Sequence, residues 1–215
     1  MGVFPDSSHP TGNETELRTP WTVRVGALLF RYRYIPYPFL GLFTLFCRVN
    51  ECEDGMFVAI PGVSLMILGS LLRIYSIRYI GGAARTRKRK AKKLICSGPF
   101  CYVRNPIYIA NILVMSGFVW LCELLWFAPI VAVGLWGFYH MIVLFEEDIL
   151  KEKFLEDYAG YETRVPRWIP QLRPAYYSGQ NPVFPWSNVL RRERTSVFNM
   201  VIMIAAVFMK ESLLG

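Results

Sequence analysis

Residues 56–77 read MFVAIPGVSLMILGSLLRIYSI, 22 residues carrying a single charge, Arg73, near the end. As a helix this run reaches about 33 Å, enough for the hydrocarbon core of a bilayer. Further apolar stretches cover roughly 35–49, 106–122, 127–145 and 197–209, the last reaching 213 if it crosses. Apolar residues make up 53% of the 215 and aromatics 15%, and they come in runs rather than scattered. The expected fold is all-α: a polytopic transmembrane helix bundle of about five spans, with a cytosolic helix and a C-terminal segment. Whether 35–49 and 197–213 cross fully stays open on length. Gly55, Gly62 and Gly69 are seven apart and line one face of the 56–77 run. Such a face allows close packing against a neighbouring helix.

Charge placement orients the bundle. The net charge is +8, and the basic residues sit between the apolar runs, with seven Lys or Arg in 81–93 alone. That distribution argues against a basic face for nucleic acid. The positive-inside rule puts Arg24 to Arg33, 81–104 and 146–196 on the cytosolic side, with the N-terminus inside. The intervening loops, ECEDG (51–55) and the turn at Glu123, are acidic or neutral. Cysteines fall at 47, 52, 96, 101 and 122, with no CxxC spacing, and the two histidines are His9 and His140. No metal-ligand pattern appears, and an odd count argues against a disulfide framework. The expected organisation is a polar arm over 1–20, which is not a signal peptide, a bundle over 21–170, and a C-terminal extension over 171–215 with a further membrane-associated helix.

Two polar segments on the expected inner face are unusual. The first is LICSGPFCYVRNPIY (94–108). Gly98-Pro99 marks a turn, and Asn105-Pro106 reads as an N-cap followed by Pro at the first helical position. Arg104 then lies beside a helix N-terminus, with Tyr108 in its first turn. That combination suits a carboxylate or phosphate, or else Asn105 only caps and Arg104 only meets lipid phosphate. The second segment, 146–170, reads as a helix continuing past the membrane. Leu150, Phe154 and Tyr158 repeat at spacing four, and Glu147 sits on the same face. A carboxylate there needs a partner: Arg104, Arg164 or a cationic ligand. Glu146, Asp148, Glu152, Glu156 and Asp157 are expected to meet water or the basic loop. Gly160 can end this helix, with Tyr161, Arg164, Val165-Pro166, Trp168 and Pro170 forming a non-helical segment across the bundle.

LIxxGPFxYVRNPIY, a close hairpin, then EExxLxxxFxxxYxxYxxRVPRWIP over roughly 56–170 resembles the isoprenylcysteine carboxyl methyltransferase and phospholipid methyltransferase superfamily. The resemblance implies a membrane-embedded enzyme using S-adenosylmethionine without a soluble Rossmann-type domain, and the chain has no Gly-rich strand–turn–helix signature. It implies methyl transfer to a lipidic or apolar small acceptor at the cytosolic membrane face, among membrane lipids. Gly98, Pro99 and Phe100 fall on the family's Gly-Pro-Tyr. Arg104, Asn105, Pro106 and Tyr108 fall on its Arg-His-Pro-x-Tyr, and Glu146 and Glu147 on its paired acidic residues. Tyr158, Tyr161, Arg164 and Pro166 fall on its tail motif. By that likeness Gly98, Pro99, Arg104, Asn105, Tyr108 and Glu147 line the cofactor cavity. Tyr161 and Arg164 close it, and Glu147 and Arg104 act in catalysis. Three positions depart: Asn105 replaces His, Phe100 replaces Tyr, and Leu155 replaces the Gly after the stripe's Phe. With the extra tail, these leave a second expectation open, a non-catalytic methyltransferase-like subunit of a larger membrane protein complex.

Overall fold

The computed structural model describes residues 21–47, 55–80, 93–175 and 183–214. The 1–20 arm, most of the ECEDG turn, the basic run 81–92 and the tail segment 176–182 lie outside the described residues. Six helices build the described chain: α1 (Trp21–Tyr32), α2 (Pro36–Phe46), α3 (Gly55–Ile80), α4 (Pro106–Leu121), α5 (Ala128–Arg164) and α6 (Trp186–Leu214), with a 3-10 turn at Gly98–Cys101.

The all-α expectation holds, but about five spans do not. Among the described residues, two helices are long and apolar enough to cross a membrane, over Val58–Ile80 and Ala128–Arg164. The length of an apolar run overstated the length of its helix. α2 has 11 residues and stops at an extended Cys47, so it reaches only about 16 Å. α4 has 16 residues, or about 24 Å, and ends in a turn with Glu123 at φ 66°. The run at 197–209 is the second half of α6, whose first half carries Arg191, Arg192, Glu193 and Arg194. Ile60, Ile67, Leu68 and Leu71 on α3, and Ile130, Val133 and Trp136 on α5, face outward.

Small residues set the closest contact. α3 and α4 run antiparallel. A Cβ on Gly62 would lie 3.0 Å from the Gly117 carbonyl oxygen, and one on Gly69 would lie 2.7 Å from that of Ala110. α4 turns back through residues 122–127 onto α5, where Tyr108 and Tyr139 pack with ring centroids 4.5 Å apart. α1, over the Arg24 to Arg33 stretch expected on the cytosolic side, is a helix against α5. Its buried Gly26 abuts the Met141 carbonyl, and Phe30 packs on Phe145 with centroids 5.8 Å apart. α6 lies along α3, tied by Arg73 Nε to Glu193 Oε2 at 2.9 Å and by Ser70 Oγ to Met200 Sδ at 3.1 Å.

The helix expected to end at Gly160 runs on to Arg164, and Tyr161 and Arg164 are helical. Pro166 stops it, because the residue before a proline is driven out of the helical region. Val165 is accordingly extended, at φ −107° and ψ 121°. A bend interrupts α5 earlier, at Leu155, with φ 37° and ψ −110°. Only glycine enters that region without strain, and Leu155 is 71% exposed, so little packing compensates. Leu155→Gly, restoring the residue of the resembling family, is therefore expected to stabilise the protein by about 1 kcal/mol. A thermal midpoint in detergent that falls would show the bend to be unstrained.

Candidate functional site

Three pieces meet at one end of the bundle: the 98–105 turn, the last turns of α5, and a strap, residues 165–175. The turn is shaped by Gly98, at φ +61° with the Tyr79 ring against it, and by buried Pro99. Cys101 Sγ–H donates to the Cys96 carbonyl at 2.7 Å, and burial pushes this thiol's pKa up. The strap bonds to the turn through the main chain. Arg104 N–H donates to the Pro166 carbonyl at 2.9 Å, Gln171 N–H to Tyr102 at 3.0 Å, and Ala175 N–H to Cys101 at 3.1 Å. Tyr161 O–H adds a bond to the Phe100 carbonyl at 2.8 Å.

Glu147 sits at the centre, 4% exposed. Arg104 Nη1 lies 3.1 Å from Glu147 Oε1 and 3.2 Å from Glu162 Oε1, and donates to Tyr158 Oη at 3.3 Å. Arg167 grips the other side, with Nε 3.1 Å from Oε1 and Nη2 2.6 Å from Oε2 of Glu147. Those charge-assisted bonds raise the pKa of Arg167 further above its usual value. Lys151 Nζ closes the outer edge on Glu162 at 2.9 Å. A buried carboxylate held by two guanidiniums satisfies the requirement that an interior charge be paired.

The expected residues divide over this arrangement. Arg104 and Glu147 meet directly. Asn105 occupies the N-cap position of α4 without a side-chain cap bond, and its Nδ2 instead donates to the Arg167 carbonyl at 3.2 Å. Tyr108 reaches Glu146 rather than Glu147, donating to Oε2 at 2.9 Å. Glu146 thus faces the bundle, and Asp148 Oδ2 is buried, where water or the basic loop, which lies outside the described residues, was expected for both. Gly98 and Pro99 form the turn, and Tyr161 ties it to α5. Arg164 has an exposed side chain, while its carbonyl accepts from Gln171 Nε2 at 2.9 Å. Arg167, not Arg164, takes the position beside Glu147, because the extended Val165-Pro166 turns the chain back. Glu162, Asn111, Tyr139 and Arg73 were also missed. Asn111 bridges Arg73 Nη1 at 2.8 Å and Tyr139 Oη at 3.2 Å.

The arrangement can hold a small zwitterion. Arg104 Nε is buried without a hydrogen-bond partner among the described residues, an open donor for an anionic oxygen. Glu146, Glu147 and the Tyr108–Tyr139 ring pair offer negative charge and π faces for a cation. Residues fit to hold an amino-acid head beside a sulfonium are therefore present.

Residues 57–157 match the sequence model of the phospholipid methyltransferase family. The match takes in Arg104, Asn105, Tyr108 and the two glutamates, and stops before the strap. Among curated proteins, the chain is 31% identical over 120 residues to the cobalt-zinc-cadmium resistance protein CzcN of Cupriavidus metallidurans, covering 56% of this chain and 50% of that one. It is 28% identical over 115 residues to the nickel-cobalt-cadmium resistance protein NccN of Alcaligenes xylosoxydans xylosoxydans, covering 54% and 49%. It is 31% identical over 114 residues to protein-S-isoprenylcysteine O-methyltransferase B of Arabidopsis thaliana, covering 51% and 57%. The chain spans about half the length of the curated relatives it matches. No solved structure matches it. These likenesses support a partial, superfamily-level homology to membrane methyltransferases that use S-adenosylmethionine.

Proposed function

We propose that the protein transfers a methyl group from S-adenosylmethionine to a lipidic or apolar small acceptor at the cytosolic face of a membrane. The observation that carries this is the Arg104–Glu147–Arg167 cluster around a buried carboxylate, whose Arg104 Nε lacks a partner among the described residues, inside a region that resembles methyltransferases. When bound, S-adenosylmethionine supplies a methyl on a sulfonium. Arg104 would hold the carboxylate of its amino-acid head, and Glu147 and Glu146 would face its positive charges. Tyr108 would fix Glu146, and Asn105 would hold the strap through the Arg167 carbonyl. Tyr161 would anchor the turn. Arg164, at the surface end of α5, would help close the site together with the strap.

Alignment and exclusion of water carry most of such a displacement. An uncharged amine acceptor would also need a proton acceptor, and Glu147 is the group placed for it. A carboxylate or thiolate acceptor would need none. The cytosolic placement is supported by the basic segments that flank the site, 81–104 and 146–196, against the acidic 51–55 loop.

One observation favours the alternative of a non-catalytic scaffold in a larger membrane complex. Both oxygens of Glu147 are already engaged by arginines, and Asn105 is committed to the strap. Titrating purified protein in detergent with radiolabelled S-adenosylmethionine separates the two. Saturable binding, lost in Arg104→Ala with helix content intact, is expected. A folded wild-type protein that binds none would exclude the enzyme and leave the scaffold.

A further inference from the structure

Arg167 has a neighbour in the strap with a separate task. While Arg167 closes on Glu147, the Trp168 indole Nε1–H donates to Nδ1 of His140 at 3.1 Å. An indole nitrogen only donates. The imidazole nitrogen that receives this bond must therefore keep its lone pair, and the ring proton resides on Nε2. Nε2 itself makes no hydrogen bond among the described residues and is not sealed from solvent. His140 lies seven residues before Glu147 on α5, on the same face and about 10 Å further along the helix. Trp136 is one turn beyond, its ring 5.4 Å from His140 and 6.2 Å from Trp168. Trp136 is 46% exposed on the outward side of the bundle. Two indoles and an imidazole thus form a cluster that starts at the apolar surface and runs to the Arg167–Glu147 pair.

We infer that His140, fixed by Trp168 as an Nε2–H donor, is a positioning residue that holds an oxygen atom of an apolar acceptor beside the Trp136–Trp168 pair. The inference rests on the methyl-transfer reading and deepens it by naming the acceptor's polar atom. The indoles supply apolar contact area for a chain entering from the outward side. The imidazole presents the positive end of an N–H bond, which attracts an oxygen lone pair and opposes an ammonium. His140 does not stand in for the imidazole absent at Asn105 as a base, because its lone pair is spent on Trp168. An oxygen acceptor that arrives already ionised asks only to be held.

The test uses the full chain in detergent and two probes that quench tryptophan fluorescence. One is a doxyl-labelled stearate and the other a doxyl-labelled alkyl trimethylammonium of equal length. The stearate is expected to quench saturably and to bind at least tenfold more tightly than the ammonium. His140→Phe should weaken stearate binding at least tenfold. His140→Gln, whose amide nitrogen reaches the place of Nε2, should stay within threefold of wild type. Trp168→Phe, which frees the tautomer, should fall between. Equal stearate affinity in His140→Phe and wild type, or tighter binding of the ammonium, would overturn the inference. Titration with S-adenosylmethionine runs beside it. Donor binding without probe discrimination sinks the role of His140 alone. Probe discrimination without donor binding sinks methyl transfer and leaves an oxygen-selective site for an amphiphile.

Discussion

Glu147→Gln is expected to destabilise the protein by about 3–5 kcal/mol, because removing one member of a buried ion cluster strands the others. The substitution keeps the side chain's shape and removes its charge. Among the described residues Arg104 is left with Glu162 as its one counter-charge, and Arg167 loses the carboxylate that orders it. S-adenosylmethionine affinity is expected to fall by more than about 100-fold, the scale of losing a desolvated charge contact. Hydrogen exchange gives a local readout: the amides of Arg104, Gln171 and Ala175 should exchange faster as the strap loosens. Lys151→Ala serves as the contrast. Its ion pair with Glu162 is half exposed, and its loss should cost less than about 0.5 kcal/mol. A Glu147→Gln protein with an unchanged midpoint and unchanged strap protection would show that the cluster does not hold this end together.

Gly117→Ala is expected to cost about 3 kcal/mol, a large effect for one methyl group. Its Cβ would lie 2.7 Å from the Gly62 carbonyl oxygen and 2.9 Å from Leu65 Cβ. A backbone atom cannot swing aside, so the two helices must separate along their length. Gly134 and Gly137 have nothing within 4 Å of a Cβ. There, Gly→Ala should raise stability by about 0.5–1 kcal/mol through reduced freedom of the unfolded chain. Thermal midpoints in one detergent decide it. Shifts of the same sign and size at Gly117 and Gly134 would refute close packing as the reason for glycine between α3 and α4.

Some of this was readable in the residues. The heptad of Gly62 and Gly69 maps directly onto a helix face, because periodicity survives whatever the helix packs on. The stripe of Glu147, Leu150, Phe154 and Tyr158 is legible for the same reason, with Glu147 and Tyr158 buried and Leu150 and Phe154 partly so. The number of spans was not legible, because an apolar run does not reveal where a helix within it stops. α1 was hidden by Arg24 and Arg31, which look like a flanking loop until Gly26 is seen against α5. Arg164 entered as one of three open partners for Glu147 and through the likeness of the tail motif, and neither shows that the extended Val165-Pro166 brings Arg167 to Glu147. Pairing Tyr108 with Glu146 rather than Glu147 turns on one residue, a rotation of about 100° around α5. Asn105 shows the limit most plainly. Its identity suggests a local cap, yet its side chain serves a carbonyl 62 positions away.

That separation has a consequence in time. The strap and the 98–105 turn are joined by main-chain groups, so neither half is complete without the other's backbone. During synthesis the turn emerges first, and its partner follows after a delay on the order of 3–12 s at typical elongation rates. Through that interval α3 and α4 can already pack, while the amide of Arg104 and the carbonyls of Cys101 and Tyr102 wait on water. Assembly therefore has a fixed sequence of birth: the helical walls close early, and the ion cluster at their end is completed only when the strap is delivered.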